Sequence, residues 1–304
     1  MAGAKSIEFA PVAKLYVASI LTDDGPAPAV VSDGLVHRIP GASGVRAMLA
    51  DWDAWLARLD AGELDDPVPL EQVKLLAPVP DPPNLYMAGA NYADHYREMH
   101  GLSDEEPVPR HPSGPFLFLK PTTTLIANGE PVVIGEGVGR LDWEVELAVV
   151  IGRRADRVSE ADALEHVAAY TIANDISARD LFLRRYAEEP FTYDWFGQKG
   201  WATSCPLGPW LVPARELPDP GELALSLRVN DTVMQDSTTA QMIFSIEELI
   251  AYVSRVVPLV PGDIISTGTC GGVGAARGRF LAPGDVMYAE IEGIGVLENP
   301  VVAP

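Results

Sequence analysis

The stretch Leu141-Asp-Trp-Glu-Val-Glu-Leu-Ala-Val-Val-Ile-Gly152 decides the reading of this chain. Its apolar, β-branched run predicts a strand. With a period of two, Glu144 and Glu146 share one face with Asp142, while Trp143, Val145, Leu147 and Val149 share the other. Two carboxylates side by side on a strand built for burial repel and are poorly hydrated unless something positive sits between them. Hard cations such as Mg²⁺ take carboxylate oxygens, so a divalent metal answers that charge better than a lysine. The alternative is an edge strand whose two glutamates are simply solvated.

Around this strand lies a chain of 304 residues, 47% apolar and 21% charged, with material for a large core in one or two domains. Its 22 Lys and Arg against 43 Asp and Glu give a formal charge of -21, a surface that repels nucleic acid and anionic membrane. The two cysteines, Cys205 and Cys270, make no disulfide framework, which gives a cytoplasmic location as the expectation. The first residues lack a continuous apolar core, unlike a signal peptide, and no run has the length of a membrane span.

Short extended segments at residues 14–21 and 29–31 suggest a small antiparallel sheet. Val45, Met48, Leu49, Trp52, Trp55, Leu56 and Leu59 then keep helical spacing over four turns, with Gly62 as the stop. Residues 1–75 therefore read as a small α+β domain, and the proline-rich residues 76–84 as a stiff connector to a mainly β domain at 85–304. In the latter, a strand turns into a short helix over residues 85–100, and a polar loop at 101–115 has the length of a lid or of a plain surface insertion. Ser159 is placed to cap a helix beginning at Glu160. Ser245 with Glu248 forms a capping box before an amphipathic helix.

Candidate chemistry gathers near the acidic strand. Asp175 ends a strand and can supply a third oxygen ligand beside Glu144 and Glu146, or merely cap the next segment. Arg179 can pair with a ligand carboxylate or a substrate anion. His95 and Glu98 are neighbours if their turn is helical, the spacing of an oriented general base or of an ordinary surface turn. Lys199, between glycines and aromatics, suits a shielded pocket in which its charge neutralises an oxyanion. The loop 267–274 can cradle a carboxylate with hydroxyls and amides. Neither cysteine has a histidine nearby in sequence, and both read as packing residues.

Taken together, the segments Gly89-Ala-Asn-Tyr-Ala-Asp-His95, Asp142-Trp-Glu-Val-Glu-Leu-Ala-Val-Val-Ile-Gly152, Asn174-Asp-Ile-Ser-Ala-Arg-Asp180, Gln198-Lys-Gly200, Cys205-Pro-Leu-Gly-Pro-Trp210, Pro261-Gly-Asp-Ile-Ile265 and Thr267-Gly-Thr269 resemble the fumarylacetoacetate hydrolase family over roughly residues 80–304. The resemblance implies a mixed β-sandwich roll, a homodimer, and Mg²⁺ or Mn²⁺ held by Glu144, Glu146 and Asp175. It further implies a lid in which His95 and Glu98 activate water, Lys199 and Thr269 contacting a small anionic substrate, Arg179 in support, and Thr203 near the metal. Cys270 stands where a proline usually follows Thr-Gly-Thr. Phe182 stands where a glutamine that contacts substrate is frequent, which makes this pocket less polar than usual.

These residues compose a hydrolase that cleaves the carbon–carbon bond of an acylpyruvate to pyruvate and a carboxylic acid, with His95 activating water and Lys199 stabilising the departing enolate. The same site serves a decarboxylase, isomerase or hydratase of a 2-oxo or 2-hydroxy-dienoic acid if His95 moves protons between carbons instead. A non-catalytic metal-binding scaffold or partner subunit is the remaining alternative.

Overall fold

The computed structural model describes residues 15–185, 188, 189, 191–217 and 219–304; Lys14 of the first expected strand, and the opening residues read for a signal peptide, lie outside these. The architecture is mixed β with α. A twelve-stranded sheet runs, edge to edge, through Val68–Pro69, Leu35–Arg38, Gly25–Ser32, Tyr16–Thr22, Cys205–Pro213, Val167–Asn174, Val145–Ile151, Ile264–Thr269, Leu85–Gly89 and Phe116–Leu119, with two short strands paired off this path. A five-stranded sheet, whose middle strands are Ala224–Val229 and Val286–Ile291, packs against it. The roll and the smaller N-terminal α+β region expected from the sequence are both present.

Strand parity explains where the core sits. Val145, Leu147, Val149 and Ile151 face the five-stranded sheet and pack with Leu225, Leu227, Met287 and Ile291. Ala148 and Val150 face the other way, toward Val45, Met48, Trp52 and Leu56 of the N-terminal helices. Every residue of Val145–Ile151 is buried, so the strand is apolar on both faces except at Glu146.

Three local expectations are corrected. The acidic stretch is not one strand: Leu141–Asp142 pairs with Ser177–Ala178, and Val145 resumes pairing opposite Asn174, so Trp143–Glu144 and Asp175–Ile176 leave the ladder together. Asp142 does not join the glutamates in one oxygen cluster but accepts Arg179 Nε at 2.8 Å. The helix expected over residues 45–59 is two, Val45–Leu49 and Trp52–Asp60, broken where Asp51 adopts φ −140° and Trp52 sends its indole N–H to the Ala168 carbonyl at 2.9 Å. The segment Glu160–His166 is a 3-10 helix, because Ser159 spends its hydroxyl donating to Asp162 Oδ2 at 2.6 Å rather than accepting a backbone N–H. The capping box at Ser245 and Glu248 forms as expected and opens Ile246–Val256.

Candidate metal centre and its surroundings

The paired break at Trp143–Glu144 and Asp175–Ile176 builds the site. Glu144 leaves the ladder but is held by its own backbone: its N–H donates to Asn174 Oδ1 at 2.9 Å, and its carbonyl accepts the Asp175 N–H at 2.9 Å. Two residues on, Glu146 lies within the ladder opposite Thr269, where a bulge interrupts the pairing between Glu146 and Ala148. The bulge aims the Gly268 N–H at Glu146 Oε2, 3.0 Å away, beside the Ser266 hydroxyl at 2.5 Å. Gly268 has φ +93°, and a Cβ there would sit 2.9 Å from Asn91 Cβ and 3.0 Å from the Ala88 carbonyl, so only glycine fits.

Glu144, Glu146 and Asp175 are buried and each offers an oxygen within 4.8 Å of the others. Lys199 Nζ bridges Glu144 Oε2 at 2.7 Å and Asp175 Oδ2 at 2.6 Å, while Arg179 reaches Glu144 Oε1 at 2.5 Å. Burial pushes the Glu144 carboxyl up, but Lys199 and Arg179 outweigh it and hold the group at about 2. Glu146 goes the other way: burial, then the negative charges of Asp175 and Glu144, raise it well above the ordinary range. A divalent cation beside Glu146 would offset the neighbouring negative charge that raises it. With Asp142, four buried carboxylates face three cations, Lys120, Lys199 and Arg179. An all-oxygen donor set of this charge suits a hard divalent cation.

Two residues of this cluster carry no clear mark in the sequence. Lys120, fully buried at the end of Phe116–Leu119, donates to Asp175 Oδ1 at 2.5 Å and to the Ile176 carbonyl at 3.2 Å. Its one signal is a lysine closing the apolar run Phe-Leu-Phe-Leu. Gln235 accepts the Val145 N–H at 3.0 Å and donates to Thr269 Oγ1 and the Cys270 carbonyl, both at 2.9 Å; it lies far away in sequence on the second sheet. Removing Lys120 leaves a buried Asp175 oxygen without its cation, a change that costs about 3–5 kcal/mol. Lys120→Met is thus expected to lower the melting temperature of the metal-free protein, with Mn²⁺ restoring more of the loss than it adds to wild type; scanning calorimetry with and without the ion checks this.

The structure places the other expected residues as follows. His95, 6% exposed on the helix Ala93–His100, has Nδ1 3.9 Å from Glu98 Oε2, an ion-pair distance too long for a hydrogen bond. That nitrogen is buried and has no hydrogen-bond partner. Burial raises the Glu98 carboxyl, but His95 and the Gly272 N–H, 2.8 Å away, outweigh it and lower it. The helix is pinned at its start by Asn91, whose amide donates to the Phe244 and Thr267 carbonyls, and by Asp94, which accepts the Ser237 hydroxyl at 2.5 Å. Arg179 Nε donates to Asp142 Oδ2 at 2.8 Å, and Asp142 also accepts the Gly274 and Ala275 N–H groups, so the glycine-rich loop and the arginine share one anchor.

The hydroxyls of Thr269 and Thr203 are occupied by the fold. Thr269 donates to the Val145 carbonyl at 2.9 Å while accepting from Gln235, and Thr203 accepts the Val133 N–H at 2.9 Å. Phe182 packs tilted against Tyr193 and edge-on to Trp195, centroids 5.1 Å apart in each case. Both cysteines are free and buried; burial pushes the Cys205 thiol up to about 12 and Cys270 well above its ordinary value.

Comparison with known proteins agrees with this geometry. Residues 84–302 match the model of the fumarylacetoacetate (FAA) hydrolase C-terminal family. The chain is 43% identical over 237 residues to the oxaloacetate tautomerase FAHD2A, mitochondrial, of Bos taurus, covering 77% of this chain and 71% of the relative. Among solved structures, 2-hydroxyhepta-2,4-diene-1,7-dioate isomerase from Mycobacterium marinum superposes with a TM-score of 0.72 at 31% identity, over 95% of this chain and 98% of the isomerase. Maleylpyruvate hydrolase from a Sphingobium species gives 0.76 at 29%, over 95% and 100%. The cytoplasmic expectation is overturned by the bovine relative and its counterparts, whose names place them in mitochondria. Two unpaired cysteines fit any reducing compartment and carried no information to choose one. No described helix is long and apolar enough to cross a membrane.

Proposed function

Because this chain belongs to the fumarylacetoacetate hydrolase family, we propose that its metal-assisted chemistry is the tautomerisation or isomerisation of a 2-oxo acid, with Mg²⁺ or Mn²⁺ at Glu144, Glu146 and Asp175. The observation that carries this reading is the buried, unbonded Nδ1 of His95 beside an ionised Glu98. A base kept from water and flanked by a carboxylate is suited to taking a proton from the carbon next to the ketone and returning one elsewhere on the same molecule. When bound, the divalent ion supplies Lewis-acid polarisation of the acid's ketone and carboxylate oxygens. Lys199 adds a fixed positive charge for the oxyanion that develops, and Arg179, tied to Asp142, keeps Glu144 ionised and oriented. The names of the bovine tautomerase and the mycobacterial isomerase support the same class.

Hydrolysis of an acylpyruvate is the second reading, favoured by the similarity to maleylpyruvate hydrolase. It needs the same residues with His95 acting on water. Incubating Mg²⁺-loaded protein with enol oxaloacetate, a 2-hydroxy-dienoate and an acylpyruvate separates the two. Accelerated loss of the enol absorbance without cleavage supports proton transfer; pyruvate released with a matching carboxylic acid supports hydrolysis. A homodimer is part of the proposal, and sedimentation showing only monomer would remove it.

A further inference from the structure

Lys199 Nζ lies 5.7 Å from the centroid of the Phe118 ring. From there a strip of aromatic rings leads away from the acidic cluster. Trp195, at the start of the turn that carries Lys199, contacts Phe118 at 5.4 Å and Phe116 at 5.1 Å, and meets Phe182 edge-on at 5.1 Å. Phe182 continues to Tyr193. The strip is bracketed by the two sides of the site: Phe116 lies over Gly89, which leads into the His95 helix, and Phe182 is three residues beyond Arg179. Phe116 is 51% exposed and Tyr193 52%, while Phe118, Phe182 and Trp195 between them are half-buried, so the strip leads from the acidic cluster to solvent.

The cations of the site are already committed. Lys120, Lys199 and Arg179 each pair with buried carboxylates. Arg184 and Arg185 are exposed; Arg184 follows the Leu183–Tyr193 bridge and donates its backbone N–H to the Thr192 carbonyl at 2.9 Å, at the solvent end of the strip and not beside its inner rings Phe118 and Trp195. A second carboxylate at the far end of the substrate would thus meet rings rather than positive charge, and burying it against them without a partner is costly. An aryl or alkyl group would stack there.

Resting on the proposed 2-oxo acid chemistry, we propose that this strip binds the distal group of the substrate, so that the preferred substrates are 2-oxo acids with an uncharged aryl or alkyl tail rather than dicarboxylates. Phe182 is the specificity-determining residue of the strip.

The test is ketonisation of enol phenylpyruvate against enol oxaloacetate by the Mg²⁺-loaded protein, in wild type, Phe182→Gln and Phe182→Leu. Wild type is expected to favour phenylpyruvate by roughly 10–100-fold in kcat/KM, the discrimination a hydrophobic pocket provides. Phe182→Gln should narrow that ratio mainly through KM, and Phe182→Leu should keep it. A wild-type preference for oxaloacetate, or a ratio unmoved in a Phe182→Gln protein of unchanged melting temperature, overturns the proposal while leaving the tautomerase reading in place. If neither acid reacts, that reading fails instead, and calorimetric affinities for the two acids decide the strip by the same ratio. A dimer that dissociates on Phe116→Ser, with the substrate ratio unchanged, would assign the rings to a subunit interface and also overturn it.

Discussion

Glu146→Gln is expected to leave the protein folded and to weaken Mn²⁺ binding by more than about 100-fold, beyond the roughly 10–100-fold that loss of an outer-shell partner typically costs. The reason is that burial and the neighbouring carboxylates favour the neutral form of Glu146, whose shape and lack of charge glutamine copies. The amide oxygen can accept the Ser266 hydroxyl and the Gly268 N–H as the carboxyl does, but it brings no negative charge to a cation. Titration calorimetry with Mn²⁺ beside a thermal melt checks both halves. Unaltered affinity would remove Glu146 from the ligand set, and an unfolded variant would show that the carboxyl is ionised in the resting protein.

The same substitution has a pH signature with a definite sign. Glu146 has a folded value raised above the ordinary 4.5, so the folded metal-free protein binds this proton more tightly than the unfolded chain. Its contribution to stability is complete below 4.5 and is lost as pH rises through the raised value. Glu144 acts oppositely: its stabilisation is present above 4.5 and is lost as pH falls toward about 2. Metal-free wild type should therefore lose the Glu146 contribution to stability as pH rises from 4.5 through the raised value, and Glu146→Gln should flatten that limb. Metal binding should release a proton in wild type, so apparent affinity rises with pH, and calorimetry in buffers of different ionisation enthalpy reads that release.

Much of this site was legible in the chain because its ligands are close in sequence to strand ends. Glu144, Glu146 and Asp175 could be picked out by period and by turn position, and the helix carrying His95 and Glu98 by its spacing. The paired break at Trp143–Glu144 and Asp175–Ile176 was not legible, because it comes from two strands leaving a ladder at the same level, and periodicity along one strand contains no such information. It is also why Asp142 was grouped with the glutamates although it serves Arg179 and the loop at Gly274. Lys120 and Gln235 were missed for a related reason. Each meets the site only through long-range pairing, Lys120 from the edge strand and Gln235 from the second sheet. The helix at residues 45–59 had the right buried positions but one break too few, since the hydrogen bond from Trp52 to Ala168 crosses to a distant strand.

His95→Gln is expected to lower turnover of the enol substrate by about 10²–10⁴-fold, the range of a lost general base, with Mn²⁺ affinity and melting temperature near those of wild type. The His95 Nδ1 has no hydrogen-bond partner to lose, and glutamine keeps a polar side chain of similar reach in the buried position. Glu98→Gln should cost less, about tenfold: the amide still accepts the Gly272 N–H, which keeps the helix in place, while the negative charge 3.9 Å from the imidazole is gone. Exchange of the carbon-bound proton next to the ketone, followed in heavy water by nuclear magnetic resonance, distinguishes this role from a structural one. Wild type should wash deuterium into that position quickly, Glu98→Gln more slowly, and His95→Gln at the rate of the buffer. Rapid exchange in His95→Gln would move the base elsewhere, and slow exchange in wild type alongside fast pyruvate release would transfer His95 to the activation of water.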